Sequence, residues 1–225
     1  MKRKLGILLI GQTPRKDYEE IFSQCLNEGD ELIMEGVLDE FSARELKNMG
    51  AEGNLPVLAT LDRNGNQIVI ADHEIVNRVP GKIQGLKSKG ADIVVVVCTG
   101  KFPEMNIDIP IVFPDKVLRY NTKAVAEGKN VAIFIPLEEQ KMQMSSRWTD
   151  IGVIPVVHAV SPFTEDVEVS QDIIDDLNEK DVAVVVLDCM KFGQAAKSKI
   201  QEATGKPVIC ARTLLLKIVS ELMGK

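Results

Sequence analysis

The feature of this sequence that most constrains its fold is a pair of matching apolar runs, one in each half of the chain. Residues 92–98 and 181–189 are both rich in valine, and both runs end in a cysteine. A Lys-Phe pair follows within four residues of each cysteine. A repeat of this kind predicts that the two halves are built on one folding plan.

The strand-length apolar runs are continuous and do not alternate with polar residues. Such runs are typical of parallel strands that are buried on both faces, and helical segments separate them, which indicates the α/β class. We predict two pseudo-symmetric halves, each a four-stranded, mainly parallel sheet flanked by helices. The predicted strands lie near residues 6–11, 31–38, 92–98, 109–113, 130–136, 152–159, 182–188 and 207–211.

The two halves are expected to divide near Gly128, into residues 1–128 and 129–225. The first half is longer because of an insertion near residues 55–70, where Asn-Gly stands between two β-rich runs. That dipeptide predicts a β-hairpin. We expect the hairpin to act as a lid or as a dimer contact, so a homodimer remains an open alternative. A helix from about His73 to Lys89 should follow.

Charge and composition exclude several classes of partner. Among the 225 residues, 27 Lys and Arg stand against 33 Asp and Glu, for a net charge of -6. That sign argues against binding nucleic acid or a membrane surface, since both are anionic. No apolar run approaches the roughly 20 residues of a membrane span. The charged start and the polar residues that follow the first strand do not fit a signal peptide, so we expect a cytoplasmic protein.

Cys98 and Cys189 are the candidate catalytic residues. Each is expected at the carboxyl end of a strand, where open α/β sheets bind ligands. One thiolate and one thiol facing the same carbon would supply the base and the acid for removing and returning a proton. The cysteine spacing does not match a zinc site, and nucleotide-binding glycine motifs are absent from the sequence, so we expect no metal and no cofactor.

Three segments together resemble the AroM family, and the resemblance covers essentially the whole chain. They are Gly11-Gln12-Thr13-Pro14-Arg15 with Asp17, Cys98-Thr99-Gly100 with Phe102, and Leu187-Asp188-Cys189-Met190. The doubled architecture and the cysteine pair are also remotely similar to the aspartate/glutamate racemase superfamily.

The racemase resemblance implies cofactor-independent chemistry at the carbon next to a carboxylate of a small molecule, by an isomerase, racemase or decarboxylase. In such racemases one thiolate takes the proton and the other thiol supplies a new one, which implies these roles for Cys98 and Cys189. Substrate binding would fall to residues of the loops after the first strand and after the first cysteine strand, namely Gln12, Thr13, Arg15, Thr99 and Gly100.

A second function remains open, namely a non-catalytic protein that binds a small carboxylate or regulates another process. Met190 follows Cys189 where the amino-acid racemases have threonine, and Asp188 precedes it. A neighbouring carboxylate raises a thiol pKa. A cysteine at a strand end is also commonly a small buried apolar residue, so the repeat could preserve packing and not chemistry.

Overall fold

The computed structural model describes residues 2–50, 55–164 and 166–225. The strands are β1 (Lys4–Leu9), β2 (Glu31–Gly36), β3 (Val57–Leu61), β4 (Gln67–Ala71), β5 (Ile93–Val97), β6 (Ile111–Val112), β7 (Asn130–Ile135), β8 (Ile154–Ala159), β9 (Val184–Leu187) and β10 (Val208–Cys210). The helices are α1 (Lys16–Ser23), α2 (Ala43–Lys47), α3 (Asp72–Val76), α4 (Val79–Ser88), α5 (Pro114–Ala126), α6 (Lys141–Thr149), α7 (Gln171–Glu179), α8 (Gln194–Thr204) and α9 (Ala211–Met223).

Two four-stranded parallel sheets form the framework, which confirms the predicted fold class. The strand order is β2-β1-β5-β6 in one sheet and β8-β7-β9-β10 in the other. Every residue of β5 and β9 is buried. This explains why these strands read as unbroken apolar runs, since helices cover both faces of such sheets. The matching orders reproduce the repeat that is visible in the sequence.

The predicted β-hairpin is present as β3 and β4, which pair antiparallel from Val57 opposite Ala71 to Leu61 opposite Gln67. The Asp62 carboxylate organises the turn, because its Oδ1 accepts from the backbone N–H groups of Asn64 and Asn66, each at 2.9 Å. The Asn66 side-chain amide also donates to Asp62, and this hydrogen bond is the main cause that lowers the pKa of the carboxyl.

The helix predicted from about His73 to Lys89 is in fact two helices, α3 and α4, which are separated at Asn77 and Arg78. Pro80 lies in the first turn of α4. A proline has no N–H to donate, and its ring would collide with the carbonyl four residues earlier, so a continuous helix cannot pass through this point. None of the helices in the described ranges is long and apolar enough to cross a membrane.

The chain forms two compact units, Met1–Pro114 with Leu216–Lys225, and Asp115–Leu215. In the first unit, C-terminal residues are tied to the segment after α1. The Asn27 side chain donates to the Met223 carbonyl at 2.8 Å, and Lys225 donates to the Leu26 carbonyl at 2.9 Å. Each unit contains its own apolar cluster. The division of the sequence repeat near Gly128 stays a prediction.

Gly11 provides a test of how tightly the hairpin packs on the first sheet. A Cβ at this position would lie 2.3 Å from the Leu61 carbonyl oxygen and 2.5 Å from the Thr60 hydroxyl. We therefore expect Gly11→Ala to lower the free energy of unfolding by about 1–3 kcal/mol, as measured in urea. Gly81 in α4 is the control, since a Cβ there meets nothing within 4 Å. A Gly11→Ala protein as stable as wild type would contradict this packing.

Candidate active site

Cys98 and Cys189 occupy equivalent positions in the two sheets. The amides of Val94 in β5 and Val185 in β9 each donate to the carbonyl of the proline that precedes the next strand. Each cysteine lies four residues beyond that donor; Cys98 directly follows β5, and Cys189 is the second residue after β9. The repeat therefore extends to the hydrogen-bonding register. Each thiol emerges at the carboxyl edge of its own sheet, where α/β proteins bind ligands.

Cys98 directly follows β5, and Gly100 packs closely against its sulfur. Its Sγ accepts a hydrogen bond from the Gly100 N–H at 3.1 Å, and the residue is buried. A Cβ on Gly100 would stand 3.2 Å from this sulfur and 3.3 Å from Leu58 of β3. Thr99 is also buried. The structure thus brings the predicted residues Thr99 and Gly100 together with Cys98, and it places the hairpin against them.

Gln12 joins three segments of the first unit. Its side-chain amide donates to the carbonyls of Leu38 and Phe41, both at 2.8 Å, and its side-chain oxygen accepts from the Arg63 N–H at 3.1 Å. Its backbone N–H donates to the Leu61 carbonyl. These bonds hold the loop after β1 against the loop after β2 and against the hairpin. A substrate-binding role for Gln12 stays a prediction.

Thr13 is held by Asp39, which closes the loop after β2. The Thr13 N–H donates to Asp39 Oδ1 at 2.6 Å, and its hydroxyl donates to Oδ2 at 2.8 Å. The Gly36 N–H also donates to Oδ2, at 2.7 Å. Because the Thr13 hydroxyl gives its proton to Asp39, it retains acceptor capacity toward a ligand. Whether Thr13 binds substrate stays a prediction.

Arg15 precedes α1 and is engaged by its neighbours. Its Nε and Nη2 donate to the two carboxylate oxygens of Asp17 at 2.8 and 2.6 Å. The guanidinium carbon lies 4.7 Å from the centre of the Tyr18 ring. Burial lowers the pKa of Arg15, but the hydrogen bond and charge of Asp17 raise it further, so its net pKa lies above the ordinary value. The predicted carboxylate clamp by Arg15 would therefore compete with Asp17.

Cys189 lies in surroundings that keep its thiol protonated. Burial raises its pKa to about 12, and the charge of Asp188 adds to this effect. Two contacts act in the opposite direction, namely the Lys191 backbone N–H that hydrogen-bonds the thiol and the nearby charge of Arg212. Cys98 and Cys189 therefore share one local geometry, since the amide two residues later faces the sulfur in both cases.

Asp188 is anchored by a buried tryptophan. The indole Nε1 of Trp148 donates to Asp188 Oδ2 at 2.9 Å. Both side chains are buried, and Trp148 on α6 is fully so. A buried carboxylate requires such donors, because removing it from water without hydrogen bonds is costly. Trp148 thereby fixes the residue directly before Cys189.

Arg212 lies close to Cys189, although its position was not evident from the sequence. In the register of the second sheet, Cys210 of β10 is paired with Leu187 of β9. Arg212 and Cys189 each lie two residues further on, so they leave adjacent parallel strands at the same edge. The available signal was the position of an arginine immediately after the last strand of the second half.

The raised pKa of Cys189 predicts how its labelling depends on pH. At pH 7 a pKa of about 12 leaves only about 10⁻⁵ of the thiol ionised. We expect iodoacetamide labelling of Cys189 in the folded protein to rise about tenfold per pH unit through the ordinary cysteine range without a plateau, because only the thiolate reacts. The rate is read by mass spectrometry.

The urea-unfolded chain is the control and should level off above about pH 8.5. The same shift has a consequence for stability, because the folded state favours the neutral thiol. That contribution is fully present below the ordinary cysteine pKa and is lost as the pH rises from there toward 12. A plateau near the ordinary cysteine pKa in the folded protein would contradict the assignment.

The two four-stranded parallel sheets form an α/β fold that is also found in racemases and in a decarboxylase. The structure is similar to unliganded arylmalonate decarboxylase, with 11% identity, a TM-score of 0.59 and coverage of 99% of this chain and 93% of that chain. It is similar to glutamate racemase from Aquifex pyrophilus, with 17% identity, a TM-score of 0.58 and coverage of 97% and 83%. Allantoin racemase from Klebsiella pneumoniae gives 12% identity, a TM-score of 0.61 and coverage of 99% and 88%.

The family of this chain is shown by its amino-acid sequence. The model of the AroM protein family matches residues 5–223, which is nearly the full length of the chain. This chain therefore belongs to the AroM family, as the three segments around Gln12, Cys98 and Cys189 predicted. No match was found among the curated proteins.

Proposed function

We propose that this protein is a cofactor-independent enzyme that acts at the carbon next to a carboxylate of a small molecule. The observation that carries the proposal is the equivalent placement of Cys98 and Cys189 at the carboxyl ends of β5 and β9, each with the amide two residues later facing its sulfur. The similar structures include racemases and a decarboxylase, which supports a reaction of this class.

The raised pKa of Cys189 suggests which thiol acts as the acid and which as the base. Cys189 is protonated at neutral pH, because burial raises its pKa to about 12, so it is suited to donate a proton. Cys98 would then be the base that removes the proton from carbon. The Gly100 N–H donates to the Cys98 sulfur just as the Lys191 N–H donates to that of Cys189, so the raised pKa of Cys189 is what supports this division of roles.

The proposed reaction is balanced without any added reagent. In racemisation the Cys98 thiolate takes the α-proton, the electron pair of the C–H bond moves into an enediolate, and the Cys189 thiol gives its proton to the opposite face. In decarboxylation the C–C bond to a carboxylate breaks, carbon dioxide leaves, and one thiol protonates the same enediolate. Thr99 and Gly100, adjacent to Cys98, are proposed to stabilise the anion through hydrogen bonds.

We propose that the loop after β1 supplies substrate-binding residues of the first unit. Gln12, Thr13 and Arg15 lie on this loop, and the first two are fixed by hydrogen bonds to the loop after β2. Fixed donors are useful in catalysis because they need no reorganisation during the reaction. Arg15 would take part through a donor that Asp17 does not occupy.

The test of the proposal is transfer of solvent hydrogen to carbon. The protein is incubated in D₂O with a panel of amino acids, hydroxy acids and substituted malonates, and deuterium at the α-carbon and release of carbon dioxide are measured. Catalysed incorporation into at least one compound is the expected result. Failure across the panel, with the protein folded, would count against an enzyme of this class.

A carboxylate-binding protein without catalysis is the second candidate. The observation that favours it is the strongly raised pKa of Cys189 together with the buried Met190 beside it. Binding of a carboxylate without any transfer of solvent hydrogen would select this function over the first.

A further inference from the structure

Arg212 and Cys189 are neighbours because of strand register. Strands β9 and β10 pair in parallel up to Leu187 and Cys210. The segments that follow the two strands therefore start at the same edge of the sheet. Arg212 lies in the first turn of α9, directly beyond β10. The positive charge of Arg212 acts on the thiol of Cys189. Arg212 is therefore part of the surroundings of Cys189 and is not a distant surface residue.

Gly193 lets the guanidinium of Arg212 lie against the start of α8. A Cβ built on Gly193 would stand 1.6 Å from Arg212 Nη2 and 2.8 Å from its Cζ. No side chain other than hydrogen fits there while Arg212 keeps this position. Gly193 lies four residues after Cys189 and directly before α8. The guanidinium of Arg212 therefore lies beside the N-terminus of this helix.

The charges around Arg212 favour an anion. Within residues 2–50, 55–164 and 166–225, Arg212 makes no ion pair with an acidic side chain. The first turn of α8 also contains no acidic residue. A guanidinium beside the positive end of a helix is repelled unless an anion lies between them. A carboxylate would satisfy both, since its two oxygens match the guanidinium fork.

We infer that Arg212 binds a carboxylate of the substrate beside Cys189, an inference that rests on the proposed function. The carboxylate of the substrate would then lie in the second unit, at an arginine that has no acidic partner among the described residues. Arg15 of the first unit differs, because its fork is already held by both oxygens of Asp17. Arg212 is a binding residue in this scheme, and the thiols carry out the proton transfer.

The test compares two alkylating reagents that differ in one charge. Iodoacetate carries a carboxylate and iodoacetamide is its neutral counterpart, and mass spectrometry gives the rate of each at Cys189. Arg212→Gln should lower the ratio of iodoacetate to iodoacetamide labelling about tenfold, whereas Arg212→Lys should keep part of it. Lys197→Gln is the matched control, since it removes the same charge from α8 and should leave the ratio unchanged.

A ratio that changes less than about threefold in Arg212→Gln, or that falls equally in Lys197→Gln, would overturn the inference. Wild-type protein supplies a second measurement that needs no variant. Malonate should slow iodoacetamide labelling of Cys189, and the neutral malonamide should not. Equal effects of the two compounds would also overturn it. These readouts need no turnover, so a failure of the proposed reaction would appear separately, as absent deuterium transfer with the labelling ratio intact.

Discussion

Replacing either Cys98 or Cys189 with serine is expected to reduce solvent-deuterium transfer to the α-carbon by about 10²–10⁴-fold. A serine hydroxyl has nearly the same size as a thiol but is a far weaker acid, so it neither forms the base nor donates a proton readily at neutral pH. Rates are compared by NMR on whichever compound of the panel wild-type protein exchanges.

Cys25→Ser is the matched control for this experiment. Cys25 is a buried thiol like Cys98, but its sulfur donates to the Leu216 carbonyl at 3.6 Å, and a hydroxyl can replace it there. We expect this variant to retain wild-type exchange. Undiminished exchange in both Cys98→Ser and Cys189→Ser would rule out the two-thiol mechanism.

The largest expected effect on stability is at Trp148. This side chain is fully buried, and its indole donates to the buried Asp188 carboxylate at 2.9 Å. Trp148→Ala removes a large apolar group and also leaves a buried carboxylate without this donor. We expect a loss of about 3–5 kcal/mol in the free energy of unfolding, measured by urea denaturation.

Met142 on the same helix supplies the control for Trp148. It is 83% exposed, so Met142→Ala should change stability by no more than about 0.5 kcal/mol. Trp148→Phe separates the two contributions, because it keeps most of the apolar volume and removes the donor. It should cost about 1–3 kcal/mol. A loss below about 1 kcal/mol in Trp148→Ala would contradict the burial of Trp148 and its bond to Asp188.

The sheets and the hairpin could be predicted from the sequence, because each follows from a pattern of neighbouring residues. The valine-rich runs that end at Cys98 and Cys189 are apolar throughout, as strands buried on both faces must be. Asn64-Gly65 defined the hairpin turn for the same reason. The break between α3 and α4 was also local, since Pro80 lies within the predicted helix, but the apolar periodicity on both sides hid it.

The contacts around the candidate site could not be predicted from patterns of neighbouring residues. The contact of Arg212 with Gly193 depends on the pairing of β10 with β9, which no local pattern in the sequence specifies. The bond from Trp148 to Asp188 joins residues that are far apart in the chain. The pairing of Arg15 with Asp17 is local, but it depends on the side-chain conformation of an arginine that could equally have pointed toward a ligand.

If Cys98 and Cys189 act on one bound carboxylate compound, as we propose, a single ligand will protect both thiols from alkylation. The rates of iodoacetamide labelling of both cysteines are measured by mass spectrometry at increasing concentrations of malonate. We expect both rates to fall together, with one dissociation constant, while the labelling of Cys25 is unchanged. Protection of only one of the two thiols, or protection with two distinct dissociation constants, would contradict it.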